Sequence, residues 1–381
     1  MTDRDIDNFS AKVDISHPFE FANLSYGGKI TYTNSVYSIN NNDELAGRID
    51  IDEFKYIENI QAAYVNVFKQ LSEKWKIQLG LRAENTTTEG ISRSLNISNN
   101  FDYFKLFPTV YLTYQPNDNN TFSINYGRRI NRPYFSRLNP ASFFINQSTR
   151  SVGNPFLQPS FSDNFEFTHL YKGRLTSTAF FEAETDGIGT VAIADNDTFE
   201  QVISSYNYFT LYRMGLSESY NLRLTPWWDS NNSVYLVYYI SEITNDLIQA
   251  PVQDNFSYYL STDHSFVLNK AKTHRAQLSY WYSGPFTINQ TENDANQALN
   301  ISLRSQFFDK KLQLAFSALD IFNTSPRIST SDVNGVVSTF ISRGIFRGRG
   351  FRISLNYSFG NDEINVRQRR EGNTTEQRRA N

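Results

Sequence analysis

The sequence lacks several features that define common classes of protein. It has no cysteine, so it can form neither a disulfide framework nor a thiolate metal site. No apolar run approaches the roughly 18 to 20 residues that a membrane-spanning helix needs. The formal net charge is -3, which excludes the strongly basic footprint of a nucleic-acid-binding protein. Its first residues also lack the apolar segment of a signal peptide.

Aromatic residues are abundant, although the chain is hydrophilic on average. It contains 31 Phe and 23 Tyr, yet only 39% of its residues are hydrophobic. A barrel that is apolar outside and polar inside needs many rings at its two membrane interfaces while it stays polar overall. The composition therefore favours a membrane β-barrel.

Apolar and polar residues alternate with period two along much of the chain. In the clearest case one strand face carries Trp75, Ile77, Leu79, Leu81 and Ala83, and the other carries Lys76, Gln78, Gly80, Arg82 and Glu84. The segments 299–307 and 351–359 repeat this pattern. Because successive side chains of a strand point to opposite faces, one face of each segment should meet hydrocarbon and the other should meet water.

Short and long polar connections separate these strands in turn. Short turns are predicted at 116–120, 172–173 and 308–311, and longer polar segments near 34–54, 133–160, 245–255 and 323–336. Such alternation is typical of a barrel with tight periplasmic turns and large extracellular loops. We therefore predict an all-β, antiparallel transmembrane β-barrel over residues 1–360, with about 14 to 16 strands.

A soluble β-rich protein, such as a sandwich, a propeller or an adhesin, is the main alternative fold. Sandwich strands recur about every 8 to 12 residues, and propellers repeat a motif of about 40 residues. The strands here are spaced by roughly two dozen residues without a repeated motif, which is closer to the spacing of a barrel.

Patterns that would indicate catalysis or metal binding are weak. The histidines are scattered and have no metal-ligand spacing; they are His17, His169, His264 and His274. Glu182, Glu184 and Asp186 share one predicted strand face, where they could bind a cation or act in acid–base chemistry. A carboxylate row is also the ordinary lining of a polar lumen. We predict no enzyme activity, no metal site and no cofactor.

The end of the chain suggests a closing strand followed by a tail. The strand 351–359 ends with Tyr357 and Phe359, which resembles the signal that delivers outer-membrane barrels to their assembly machinery; any amphipathic edge strand has the same pattern. Residues 361–381 have almost no apolar side chains and cannot bury enough surface to fold. They are predicted to form a disordered polar periplasmic tail with solvated arginines, namely Arg367, Arg369, Arg370, Arg378 and Arg379.

A run rich in proline and asparagine interrupts the strands between residues 126 and 159. Its distinctive positions are Arg129, Arg132, Pro133, Asn139, Pro140, Gly153, Asn154 and Pro155. Proline removes a ladder donor and pushes the preceding residue to an extended conformation, and glycine at 153 permits a positive φ. The run therefore predicts an ordered extracellular loop that rejoins the sheet near Ser160. A role in shaping this loop is favoured over ligand contact, and no ligand-binding residue can be assigned.

Together with the segments 80–86 (GLRAENT) and 320–323 (DIFN), this run resembles the barrel of TonB-dependent outer-membrane receptors. The resemblance covers residues 8–360 and is closest to the Bacteroidetes outer membrane protein beta-barrel family. It implies a barrel of about 22 strands around a plug. It also implies nutrient uptake driven by the TonB complex, and contact with outer-membrane lipid and with the barrel assembly machinery.

The sequence departs from that pattern because it has no recognisable signal peptide, coupling box or plug, and has several strands too few. The expectation is therefore the C-terminal barrel portion of a receptor in a Gram-negative outer membrane, whose plug is absent from this sequence. Its small-molecule or oligomeric nutrient is unknown. A porin-like or structural barrel without energised transport is the alternative function.

Overall fold

The computed structural model describes residues 2–43, 48–93, 95–194, 200–246, 248, 253–289, 291–333, 336–342, 348–359 and 379. Most of these residues form β-strands. The elements are β1 Thr2–Pro18, β2 Asn23–Asp43, β3 Arg48–Gln70, β4 Trp75–Ser92, β5 Ile97–Asn117, β6 Asn120–Asn131, α1 Phe135–Leu138, β7 Ser142–Phe144, β8 Thr149–Val152, β9 Ser160–Tyr171, β10 Leu175–Ala194, β11 Gln201–Thr225, β12 Trp228–Ile243, β13 Gln253–Val267, β14 His274–Ser283, β15 Phe286–Ile288, β16 Thr291–Asn293, β17 Asn296–Phe307, β18 Leu312–Leu319, β19 Arg327–Val333, β20 Val336–Ser342 and β21 Gly350–Tyr357. No helix in the described part of the chain is both long and apolar enough to cross a membrane.

The strands form one large antiparallel meander. Within a 17-stranded sheet, neighbours follow the order β1-β2-β3-β4-β5-β6-β9-β10-β11-β12-β13-β14-β17-β18-β21, and the short strands β7 and β8 are attached to β11. Leaving out β7 and β8, fifteen long strands remain, within the predicted range. Among the described residues β1 pairs with β2, and β21 pairs with β18, so these two strands form the edges of the sheet.

The predicted facing of the strands is confirmed. On β4, Leu79 and Leu81 are exposed on the outside, whereas Glu84 is buried on the inside. On β21 the apolar residues Phe351, Ile353 and Leu355 are 68 to 74% exposed. The register places rows of this kind side by side, for example Leu278, Ile301, Ala318 and Phe351 across four neighbouring strands. The outer surface is therefore a continuous apolar belt suited to hydrocarbon.

A row of aromatic rings marks the end of the sheet that carries the short turns. Trp75, Tyr114, Phe122 and His169 lie opposite one another on four adjacent strands. Their rings stack in sequence, with centroids 4.3 Å apart for Trp75 and Tyr114 and 4.4 Å apart for Phe122 and His169. Such rows are found where a barrel leaves the hydrocarbon layer.

The predicted short turns are confirmed. The β9–β10 connection has Lys172 and Gly173 at φ 52° and 62°, the left-handed values that two-residue hairpin turns require. Phe308, Asp309 and Lys310 also have positive φ between β17 and β18. The predicted short turns lie at one end of the sheet, which we call the turn end; the opposite end is the loop end.

Two of the predicted long connections differ from the structure. Residues 34–54 are not an extended polar loop, because β2 and β3 pair without interruption through most of this segment. The backbone ladder continues through this segment, although the alternation of apolar and polar residues fades there. The segment 323–336 contains the strand β19, which joins β15, β16 and β20 in a separate four-stranded sheet. The connections 133–160 and 245–255 lie where they were predicted.

Buried apolar side chains gather in two clusters near the loop end. One consists of Phe54, Tyr56, Phe135, Leu138 and Leu157, and the other of Val191, Tyr208, Phe209, Leu211 and Ile248. The first cluster packs α1 against the inner face of β3. The lumen is therefore narrowed at the loop end by side chains from the long connections.

The apolar belt can be tested at Ile301. Replacing Ile301 with Arg should weaken membrane assembly by about 2 to 4 kcal/mol near the midplane, because the charge would face lipid. Replacing Arg304, which is on the opposite strand face, with Gln should have little effect. Urea titration followed by heat-modifiable migration in detergent gels measures both. Equal losses in the two variants would contradict the assigned facing.

A candidate site in the barrel lumen

The inner face of β2 to β5 carries an unusual density of buried polar groups near the loop end. Thr31, Thr33 and Ser35 on β2 lie beside Glu58 on β3 and Thr86 on β4, and none of the five is more than 2% exposed. Strand alternation sends these side chains inward, and the connections that fold over the lumen cover them. This wall is therefore polar but shielded from bulk water, so ionic contacts are stronger there than at an open surface.

Two carboxylates and three arginines form the charged centre of this wall; we call these five residues the lumen cluster. Glu84 accepts hydrogen bonds from Arg82 Nε at 3.0 Å and from Arg132 Nη2 at 3.1 Å. Arg132 also donates to Thr86 at 3.3 Å. The fourth and fifth members, Glu58 and Arg379, form an ion pair of their own.

The run singled out in the sequence folds over this cluster. Residues 132–159, which we call the motif loop, leave β6 after Asn131, form α1, β7 and β8, and rejoin the sheet at Ser160. Phe135 and Leu138 of α1 are each 1% exposed and pack on Phe54 and Tyr56. The prediction of an ordered loop that returns near Ser160 is therefore confirmed.

Gly153 has a different role from the one expected. It does not adopt a positive φ; instead it allows a close approach between two parts of the motif loop. A Cβ atom at this position would lie 2.2 Å from the carbonyl oxygen of Asn139 and 2.8 Å from that of Arg137. Both contacts are to backbone, so no side-chain rotation would relieve them.

Asparagine side chains bind the motif loop to strands on both sides of it. Asn154 donates to the Ser205 carbonyl at 3.0 Å, and Asn207 exchanges two hydrogen bonds of 2.8 Å with the backbone of Gln158. On the other side, Asn99 of β5 donates to the carbonyl of Pro155. The loop is therefore fixed across the lumen between β5 and β11.

The other motif positions divide into structural and exposed ones. The side-chain oxygen of Asn139 accepts the backbone N–H of Ala141 at 3.1 Å, and this forms the turn around Pro140. The carbonyl of Pro133 accepts a hydrogen bond from Arg379 Nε at 3.2 Å. Arg129 is exposed on β6.

The carboxylate row on β10 is only partly formed. Glu182 pairs with Arg213, and Glu184 accepts a hydrogen bond from Ser160 at 3.0 Å. Asp186 leaves the row because the register shifts between Glu184 and Gly187, and its φ is 55°. Across the described residues, no group of three or more His, Asp or Glu side chains is placed to hold a metal ion.

Asp320, the first residue of the segment 320–323, organises the connection after β18. Its carboxylate accepts the backbone N–H groups of Thr324 at 2.9 Å and Ser325 at 3.0 Å, and the Ser325 hydroxyl at 2.7 Å. Burial opposes ionisation, but these hydrogen bonds outweigh it and lower the pKa of Asp320 below its ordinary value. This residue therefore shapes the loop and leaves no open oxygen directed at a ligand.

Sequence reasoning missed several residues of the site. Glu58, Asn99 and Asn207 are single polar residues at inward strand positions, and many positions of the sequence share that pattern. Arg379 was expected to be solvated with the rest of the tail, but its side chain is buried. The other tail residues and their predicted disorder lie outside the described residues.

The close packing around Gly153 predicts a local defect in a Gly153→Ala variant. The added methyl should displace backbone and cost about 1 to 3 kcal/mol of stability. Trypsin should then cut the motif loop at Arg137 or Arg150 faster than in the parent protein. Gly127→Ala is the matched control, because the nearest atom to its Cβ is a side-chain carbon 3.7 Å away. Equal trypsin sensitivity in both variants would contradict the assigned role.

The lumen cluster predicts that Glu84 matters more than a carboxylate in an exposed pair. Glu84→Gln should destabilise the barrel by about 3 kcal/mol in urea titration, because Arg82 and Arg132 would lose a buried counter-charge. In the control, Asp163→Asn removes the partner of Arg128 from a pair that is 3.7 Å apart and about one-third exposed. That change should cost less than about 1 kcal/mol. Similar losses would mean that the cluster is not electrostatically distinct.

The sequence was compared with models of protein families and with curated protein sequences. A model described as the outer membrane protein beta-barrel family matches residues 1–378. No curated protein sequence matches the chain.

Several solved structures share the fold at low sequence identity. The copper transporter OprC superposes with a TM-score of 0.67 at 12% identity, over 94% of this chain and 57% of that one. The ferric yersiniabactin uptake receptor FyuA from Yersinia pestis gives 0.66 at 13% identity, over 94% and 55%. The ferric-catecholate import receptor Fiu from E. coli K12 gives 0.66 at 13% identity, over 94% and 55%. The chain spans little more than half the length of these proteins.

Proposed function

Because the chain belongs to the outer membrane protein beta-barrel family, we propose that it forms the translocation barrel of a TonB-dependent nutrient receptor. Residence in a Gram-negative outer membrane follows from the family and from the apolar belt. We also propose that the receptor takes up a nutrient and that the TonB complex supplies the energy for this uptake.

The observation that carries the proposal is the motif loop fixed across the lumen. A general diffusion pore needs an open water-filled channel. Here α1 and its neighbours are buried in the lumen and bound to β5 on one side and to β11 on the other. A constriction of this kind is expected in a receptor that binds its cargo and then releases it by a conformational change, and not in an open pore.

The edges of the sheet support the same proposal. In the part of the chain that the structure describes, the fifteen long strands end at β1 and β21, and unpaired sheet edges are not stable in hydrocarbon. Barrels of about 22 strands enclose a plugged lumen. We infer that further strands and a plug complete the functional receptor, and that the plug makes the contact with TonB.

Accumulation experiments with the complete gene product test this function. The probes are ferric siderophores and copper ions, which are the cargo named for the similar structures. Protein-dependent accumulation of one probe should stop when a protonophore collapses the inner-membrane gradient that TonB uses. Accumulation that continues unchanged would instead indicate a porin-like barrel.

Conductance provides a second, ligand-independent test. In planar bilayers the complete gene product should carry almost no steady KCl current, because a plug and the motif loop obstruct its lumen. A steady open-pore current from the folded protein would contradict the proposal. Heat-modifiable migration confirms that the reconstituted protein is folded.

A further inference from the structure

A depression lies within the apolar belt on the outer face of β1 to β5; we call it the belt groove. It has a volume of about 550 Å³. Its floor consists of Gly28 on β2, Ala63 on β3 and Ala83 on β4, which the register places side by side at outward positions. None of these side chains extends beyond Cβ, so the backbone of the three strands forms the bottom of the groove.

Larger apolar side chains surround this floor. Val13 on β1, Ile30 on β2 and Phe104 on β5 line the groove, and each is more than half exposed. The next outward row towards the turn end, which includes Val65 and Leu81, is also apolar. A depression that nothing fills loses dispersion contacts along its lining. The groove therefore favours an occupant that reaches the floor between these side chains.

The belt groove lies in the half of the belt that is nearer the loop end. The aromatic row at the turn end includes Trp75, and Ala83 follows it eight positions later on β4. At the rise of a strand tilted by about 40°, this separation corresponds to about 20 Å of height in an apolar band of about 25 Å. Because the long loops of such barrels are extracellular, the floor faces the outer leaflet of the membrane.

The polarity of the surface changes one row above the floor. Gln61 on β3 and Asn85 on β4 are direct neighbours in the register, and both line the groove. By the same conversion they lie about 25 Å above the aromatic row, where the hydrocarbon layer ends. Among the described residues, neither amide side chain has a hydrogen-bond partner. The groove and its edge therefore match a molecule whose apolar chain is joined to a hydrogen-bonding group.

The segment 80–86, which the sequence analysis singled out, contributes to both faces of the wall. Its inward residues Arg82 and Glu84 belong to the lumen cluster. Its outward residues Ala83 and Asn85 line the belt groove. The apolar belt alone would be formed equally well by large apolar side chains at these two positions. A small residue followed by an amide instead produces a recess with a polar edge.

The nearest charged residues at outward positions beyond this edge are acidic. Asp102 on β5 and Glu89 on β4 lie one and two rows further towards the loop end than Asn85. Carboxylates repel the phosphate groups of a lipid, so the barrel offers no cation for phosphate at this place. Any lipid bound here is recognised by its chain and by the group that links the chain to the head.

We propose that the belt groove is a specific binding site for an acyl chain of lipid A, the lipid of the outer leaflet. The chain lies on the floor formed by Gly28, Ala63 and Ala83. The amides of Gln61 and Asn85 bond to the carbonyl and hydroxyl groups where the chain joins the sugar. One lipid is thereby ordered against β1 to β5, whereas lipids along the rest of the belt exchange freely. The site belongs to the outer surface and does not depend on transport.

Native mass spectrometry of the complete gene product tests this site. Protein purified from outer membranes in mild detergent should retain one lipid A molecule, which its mass distinguishes from a phospholipid. Ala83→Phe fills the groove and should lower the lipid-bound fraction about fivefold. Ala63→Phe should do the same from the neighbouring strand. Ala318→Phe is the matched control, because Ala318 is also half-buried at an outward strand position, and it should leave the bound fraction unchanged.

Titration of delipidated protein with defined lipids tests the chemistry of recognition. Monophosphoryl and diphosphoryl lipid A should bind alike, and dioleoyl phosphatidylglycerol should bind about fivefold more weakly. Replacing both amides, in Gln61→Leu with Asn85→Leu, should remove most of this preference. Much tighter binding of the diphosphoryl form would show recognition of phosphate and would overturn recognition through the linkage.

Three further results would overturn the assignment of lipid A to the belt groove. The first is equal loss of lipid in the Ala83→Phe, Ala63→Phe and Ala318→Phe proteins, with heat-modifiable migration showing that all three are folded. The second is equal affinity for phosphatidylglycerol and lipid A in the parental protein. The third is a dimer mass that disappears in Ala83→Phe, which would identify a second copy of the chain as the occupant.

Discussion

The structure depends on one constraint, which is that every backbone N–H and C=O group in hydrocarbon must find a partner within the protein. A long antiparallel meander satisfies this constraint along its length, and its two edges satisfy it only when the sheet closes. The same ladder fixes which side chains meet lipid, because alternate residues point to opposite faces. The apolar belt, the aromatic row at the turn end and the polar lumen wall all follow from that alternation.

Polar and charged side chains, which are usually exposed to water, are buried in the lumen wall. Inward side chains such as Glu58 and Glu84 would be solvated in an open channel, but the motif loop and α1 cover them. Burying these carboxylates is unfavourable unless cations join them, and Arg132 and Arg379 supply that charge. The loop and the lumen cluster therefore stabilise each other, since the loop shields the charges and carries one of the arginines.

Sequence reasoning predicted the parts of the fold that local pattern controls. The facing of β4, β17 and β21 and the hairpin turns follow from period-two alternation and from turn residues, and these predictions agree with the structure. The segment 34–54 was mistaken for a loop because the alternation of apolar and polar residues fades there, although the strand pairing continues. Gly153 was given the wrong role because a close backbone approach leaves no signal in one sequence.

The contacts within the candidate site could not be predicted from local sequence patterns. Glu58 and Arg379 are 321 residues apart, and nothing near either residue indicates the other. Asn99 and Asn207 bind the motif loop from distant strands, and their sequence context resembles that of other inward polar residues. The alternation of residues placed Glu84 on the polar face of its strand, but its partner Arg132 lies 48 residues away and is brought to it only by the folding of the motif loop.

Accessibility along β4 in a lipid bilayer tests the central claim most directly. Because the chain has no cysteine, spin labels can be placed singly at Lys76, Ile77, Gln78, Leu79 and Leu81. Labels at 77, 79 and 81 should collide mainly with oxygen dissolved in the lipid. Labels at 76 and 78 should collide mainly with a water-soluble nickel complex. A period-two alternation supports the barrel, and a uniform or reversed pattern would contradict it.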